Sequence, residues 1–194
     1  MPEKIKIPIG PQHPALAEPE HFTVVVDGEQ IVDVDFRLGY LHRGIERGLQ
    51  EMTWRQGVFL AARICGICNQ AHALCYVENV EGLQGFEVPE RAKYIRTMVT
   101  ELARIHSHML WLGLAGYEIG FQSLFMYTWR DREIAMILKE LITGNRVTHD
   151  IMVPGGLKRD LTSEMLYKLK KGVEMLRERV KLYAKVCAND PTIE

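Results

Sequence analysis

A chain of 194 residues, 47% hydrophobic and 25% charged, is long enough for one domain or one and a half around an apolar core. Its net charge of -1 removes any bulk electrostatic case for binding nucleic acid or a membrane surface, so no nucleic-acid partner is expected. No apolar run approaches the ~20 residues that a bilayer span needs.

The first residues, Met-Pro-Glu-Lys-Ile-Lys-Ile, lack the apolar core of a signal peptide. Attachment to a membrane is therefore expected to run through partner proteins. From Ile7 to Pro19 the chain is dense in proline, which excludes regular helix and predicts an extended or looped arm. A hairpin follows: His21 to Val26 is β-branched and aromatic, Asp27-Gly28 suits a two-residue turn, and Gln30 to Phe36 resumes the strand pattern. Gly39 and Gly44 punctuate the connection beyond it, where Tyr40, His42, Arg43 and Glu46 are read as bracing the loop.

Helices are predicted from Thr53 onward. Thr53 suits an N-cap, and the apolar stretch from Val58 runs into Arg63-Ile64-Cys65-Gly66-Ile67-Cys68. A second helical pattern covers about Asn69 to Gly82, and a third runs from Pro89 to Leu114 with Met98, Leu102, Ile105 and Met109 as one stripe. Another spans Phe121 to Thr143, stopped by Gly144-Asn145. Val153-Pro154-Gly155-Gly156 reads as a tight loop. The last helix starts at Thr162 or Ser163, and Leu166, Leu169, Val173, Leu176, Val180 and Tyr183 give it a seam for packing on another helix. The expected fold is α+β: a small N-terminal antiparallel β-sheet (residues 1–52, with the arm) followed by a mainly α-helical bundle (residues 53–194).

Three of the four cysteines, Cys65, Cys68 and Cys75, fall within eleven residues, and Cys187 stands apart. This spacing does not suit a secreted disulfide framework and fits a reducing compartment. In Arg63-x-Cys65-Gly-x-Cys68-x-x-x-His72 a turn lets both sulfurs converge on one metal, Gly66 permits the bend, and His72 shares a helix face with Cys68. Arg63 would stabilise thiolate and any anionic ligand. On spacing alone three readings stay open: a zinc site needing a fourth ligand from Cys187 or another histidine, a redox pair, or two inert core cysteines. Cys75 is read as a buried structural thiol, and His106 and His108 as hydrogen-bonded helix residues. The run Arg130-Asp131-Arg132-Glu133 is read as a solvated or partner-facing surface.

The ten residues from Arg63 to His72 resemble the N-terminal cysteine motif of [NiFe] hydrogenase large subunits. Gly10 to Ala15, Leu38 to Glu46, Val88 to Ala92, Thr143 to Arg146 and Gly155-Gly156 resemble the quinone-site subunit of respiratory complex I. Together they are similar to the N-terminal part of the large subunit of membrane-bound, energy-converting [NiFe] hydrogenases. That resemblance implies an oxidoreductase subunit for H2 evolution or oxidation around a NiFe(CO)(CN)2 centre. Cys65 would be a terminal nickel ligand, Cys68 a bridging ligand, and Glu18 the first proton relay, with His13 as a further member of that polar route or a structural hydrogen-bonding residue. Arg63 and His72 would stand around the cofactor, His72 positioning a sulfur or a bridging anion.

Electrons would leave through iron–sulfur clusters in a small partner subunit, and membrane subunits would translocate ions, placing the chain peripherally on the cytoplasmic side of the cell membrane. The family's second cysteine pair is absent from the 194 residues, so half of the ligands are expected from a C-terminal half or a second polypeptide carrying Cys-x-x-Cys. The other functions the sequence admits are a hydrogenase-derived sulfur, polysulfide or quinone reductase subunit, and a scaffold without its own metal centre.

Overall fold

The computed structural model describes residues 4–16 and 18–193; Met1 to Glu3, Ala17 and Glu194 lie outside the described residues. The chain forms two compact units, residues 1–45 and 46–194.

The first unit is a three-stranded antiparallel sheet in the order β1-β2-β3, with β1 at Ile5–Ile9, β2 at His21–Asp27 and β3 at Gln30–Arg37. The predicted hairpin is β2–β3. Asp27 pairs with Gln30, which makes Gly28 and Glu29 the turn residues; Gly28 at φ +60° takes the first central position that a type II′ turn reserves for glycine. Cross-strand partners Phe22 and Phe36 stack with ring centroids 4.7 Å apart. The head of the proline-rich arm is the third strand rather than a loop. Ile5 to Ile9 pairs with Phe22 to Val26, and Pro8 is tolerated because β1 is an edge strand.

The second unit is helical: α1 (Ile45–Gln50), α2 (Trp54–Ala61), α3 (Asn69–Gln84), α4 (Glu90–Glu118), α5 (Gln122–Thr143) and α6 (Ser163–Asn189), with a short hairpin of β4 (Met152–Val153) and β5 (Gly156–Leu157) between α5 and α6. The local chemistry sets these bounds. Thr53 and Gln56 close a capping box at the start of α2, and Thr162 accepts from the Met165 N–H at the start of α6. Gly85 (φ +69°) and Gly144 (φ +84°) end α3 and α5 in the left-handed conformation. Two helices, α3 and α4, run a few residues beyond their predicted ends, and α1 was not legible as a helix.

The core joins Val77 of α3, Val99 and Leu102 of α4, Leu138 and Ile142 of α5, and Leu176 of α6. Close helix approach depends on glycine. A Cβ on Gly172 of α6 would lie 2.7 Å from Leu138 side-chain carbons of α5, and one on Gly113 of α4 would lie 2.6 Å from Thr128 Oγ1 and from the Trp129 ring. The seam on α6 divides: Leu169, Leu176 and Tyr183 are buried, whereas Leu166, Val173 and Val180 stay exposed.

Candidate metal centre

The cysteine turn links α2 to α3, and several bonds fix its shape. The end of α2 tightens through the Arg63 and Ile64 N–H groups, which donate to Leu60 O and Ala61 O. Cys65 follows, and the Cys68 N–H donates to Cys65 Sγ at 3.2 Å, so the chain bends back over the first sulfur. Asn69, fully buried at the head of α3, spans the turn: its Nδ2 donates to Gly66 O (3.0 Å) and to Val147 O (2.9 Å). One amide thus ties the turn to a segment 78 residues away.

A second tie runs through Arg63. Its Nη1 donates to Phe59 O at 3.0 Å and lies 3.6 Å from Asp150 Oδ2. Asp150 also takes Lys158 Nζ at 3.0 Å, and Lys158 sits 4.1 Å from the Phe59 ring centre. The hairpin that carries these groups is clamped by a buried ion pair. Arg96 donates to Glu81 in two bonds (2.9 and 2.6 Å) and also to Val153 O and Gly156 O, while Glu81 Oε1 accepts the Gly155 N–H at 2.7 Å. Burial acts to raise the Glu81 carboxyl, but the Arg96 bonds, the Gly155 N–H and the charges of Arg96 and Lys93 prevail and hold it below the usual carboxylate range.

All four cysteines are free thiols. Cys65 is half-buried and Cys68 exposed at the rim of a cavity of about 210 Å³, which Thr100, Arg104 and Ser107 of α4 line on its far side. Partial desolvation, then the neighbouring Cys65 sulfur, push the Cys68 thiol up to about 11. A cation entering the turn must displace that proton, which is the ordinary linkage between thiolate ligation and pH. The donor set suits a soft metal: two sulfurs from one turn, one already accepting a backbone N–H. Among the described residues no group of three or more His, Cys, Asp or Glu is arranged to hold a metal ion.

His72 stands half-buried in the first turn of α3, its N–H bonded to Cys68 O. Arg63, Cys65, Cys68 and His72 are thus gathered on the second unit. Glu18 lies on the first, where it and His13 line one open concavity of about 380 Å³, His13 Nδ1 accepting the Ala15 N–H.

Three sequence expectations are corrected here. Cys75 is exposed, not a buried thiol, because it falls on the outer face of α3. Asp131 is not on a solvated surface: it is buried against Tyr183 Oη, and Arg130 and Arg179 bind it. His106 is 1% exposed, and neither ring nitrogen has a protein hydrogen-bond partner. Asn69, Asp150 and Lys158 escaped the sequence reading, since what they do depends on approaches across 78 and 87 residues that no local spacing signals.

Residues 43–114 match the nickel-dependent hydrogenase family, and residues 118–194 match the 49 kDa subunit of respiratory-chain NADH dehydrogenase. The class is therefore that of redox-complex subunits which these two families share. Within it, the chain belongs with the large subunits of membrane-bound hydrogenases that are related to the quinone-site subunit of complex I. It is 43% identical over 190 residues to the membrane-bound hydrogenase subunit alpha of Pyrococcus furiosus, covering 98% of this chain and 44% of that protein. It is 41% identical to formate hydrogenlyase subunit 5 of Escherichia coli, covering 97% and 33%. A solved archaeal membrane-bound sulfane sulfur reductase superposes with a TM-score of 0.87 at 30% identity, over 98% of this chain and 51% of that one. The chain spans between a third and about half of the length of these relatives.

Proposed function

We propose that the chain contributes two of the thiolate ligands of a nickel–iron centre in a membrane-bound hydrogenase complex, Cys65 as a terminal nickel ligand and Cys68 as the one shared with iron. The observation that carries this reading is the Cys65–Cys68 turn itself: two free thiols held in one bend by an N–H···S bond, within the segment that matches nickel-dependent hydrogenases. When bound, the centre supplies heterolytic cleavage or formation of H2.

The chain's own residues do the rest. Arg63, oriented by Phe59 O and Asp150, places a fixed cation beside the thiolates and any anionic diatomic ligand. His72 sets the orientation of a sulfur from the first turn of α3. Glu18 holds and passes a proton on the first unit, with His13 on the same concavity. The remaining two thiolates come from a C-terminal half or a second polypeptide with its own Cys-x-x-Cys. Electrons leave through iron–sulfur clusters of a small partner subunit. No described helix is long and apolar enough to cross a membrane. In this proposal partner subunits hold the chain at the cytoplasmic face and carry the translocated ions.

Cys65→Ser and Cys68→Ser in the assembled complex test this directly. Each is expected to remove nickel and H2 turnover together while the complex still assembles. Full nickel and full H2 turnover in both variants would refute the ligand assignment. The likeness to the sulfane sulfur reductase supports a second reading, in which the same turn serves a sulfur-reducing complex. A nickel-free wild-type complex that turns over sulfane sulfur and not H2 would establish it.

A further inference from the structure

Half of the apolar seam on α6 is left uncovered by the bundle. Leu166, Val173 and Val180 recur every seventh residue, so they share one helix face, and all three are exposed, Val180 at 52%. Across from them α4 has the same character: Met98, Ile105 and Leu112 also recur every seventh residue and are half-buried, and Tyr94 precedes them at 66% exposure. Two cavities open between the rows. One, of about 470 Å³, is bounded by Tyr94 and Met98 of α4 and by Leu166. The other, of about 330 Å³, is lined by Ile105, Met109 and Leu112 of α4 and by Val180, Ala184 and Cys187 of α6. The first joins early turns of both helices and the second joins late turns, so α4 and α6 run in the same direction. α5 packs closely on each of them, and among the described residues no comparable packing joins α4 to α6. From Tyr94 to Leu112 the groove between them runs about 27 Å, the length of a helix of roughly 18 residues. A groove between two helices that share a third is where a fourth helix packs in a bundle.

Charge narrows the occupant. Glu90 and Glu101 stand one helical step before Tyr94 and Ile105 on the α4 rim, and Lys170 and Arg177 one step after Leu166 and Val173 on the α6 rim, all four exposed. Arg104 binds Glu101, and Arg91 at the mouth of the first cavity binds Asp160. A helix apolar on every side would cover the rim charges without pairing them. A second copy of the chain presents the same concave groove, which cannot fill this one. The fit is an amphipathic helix with apolar residues at three- and four-residue spacing, a basic flank toward α4 and an acidic flank toward α6. The relatives described above hold about as much chain again outside the stretch that matches, which is ample to supply it.

We propose that the groove between α4 and α6 docks one amphipathic helix from the half of the large subunit that bears the second Cys-x-x-Cys. The inference rests on the hydrogenase reading, which is what calls for that half. The groove lies on the side of α4 away from Thr100 and Ser107, which line the cavity at Cys68. The docked helix therefore anchors the second half against the bundle without entering the metal site.

The test places a photoreactive benzoyl-phenylalanine at Val180 in the assembled complex and, separately, at Met175, which is exposed on the outer face of α6. After irradiation the adducts are mapped by mass spectrometry. The probe at Val180 is expected to couple to an amphipathic segment of the polypeptide or extension with the second Cys-x-x-Cys, and the probe at Met175 is not. Hydrogen exchange supplies a second readout. Val180→Glu puts a carboxylate into the apolar contact and should speed amide exchange in the coupled segment on the order of tenfold, whereas Met175→Glu should leave it unchanged. Val180 is exposed in this fold, so the chain itself tolerates the charge. Coupling at Val180 to a second copy of this chain or to a membrane subunit, no coupling at all, or equal exchange in the two Glu variants would overturn the proposal. Nickel is measured on the same sample. The expected adduct in an active complex without nickel would overturn the hydrogenase reading and leave the groove assignment standing.

Discussion

Glu81 and Arg96 illustrate how a single pair of side chains sets the geometry around the cysteine turn. Both are buried, and between them they bind Val153 O, Gly156 O and the Gly155 N–H, which holds the hairpin beside Asp150, where Arg63 and Lys158 meet. Removing one partner strands the other charge in the interior at a cost of about 3–5 kcal/mol. Arg96→Met and Glu81→Gln should each lower the melting temperature by roughly 6–20 °C, measured by calorimetry on the complex. The pH dependence has a definite sign. Because the Glu81 carboxyl lies below its unfolded value, its stabilisation is complete above about pH 4.3 and is lost as pH falls through the folded value. Glu81→Gln should remove that part of the acid sensitivity; an identical acid transition in the variant would show that Glu81 does not contribute. At this scale the sequence was informative only where the chemistry is local. Cys65, Cys68 and His72 stand at a spacing that a turn and one helical step bring together, whereas Asn69 and Asp150 owe their significance to neighbours far along the chain.

The secondary-structure elements were legible to the extent that caps and periodicity mark them. Thr53, Thr162 and Gly144 carry their own stop and start signals, and α2, α5 and α6 begin or end beside them. Two elements were not. Proline in the arm masked β1, since its role as an edge strand depends on pairing with β2. The six residues of α1 are too few to show a helical period. The even seam of α6 also concealed a division, because the bundle covers Leu169, Leu176 and Tyr183 and leaves Leu166, Val173 and Val180 exposed. The close approach of α6 to α5 depends on Gly172. Gly172→Val would drive branched carbons into Leu138, so a loss of roughly 1–3 kcal/mol is expected, read as a lower melting temperature. Unchanged melting would mean that α5 and α6 can separate without cost.

For the whole molecule, the fold class follows from the α+β pattern, while the proposed metal centre depends on ligands that the cysteine turn does not supply. The second unit exposes large apolar side chains, among them Tyr94, Trp111 and Met126, each more than 60% accessible. The proposed partner subunits would cover apolar surface of this kind, which monomers seldom expose in quantity. The same proposal makes the metal centre a joint product of this chain and another bearing a second pair of thiolates. The central claim is met most directly by quantifying nickel in the native complex, per copy of this chain, since iron is also expected in the partner's clusters. About one nickel per copy is predicted, together with a polypeptide or extension carrying a second Cys-x-x-Cys. An active, fully assembled complex without nickel would contradict the assignment of Cys65 and Cys68 as ligands of a nickel–iron centre.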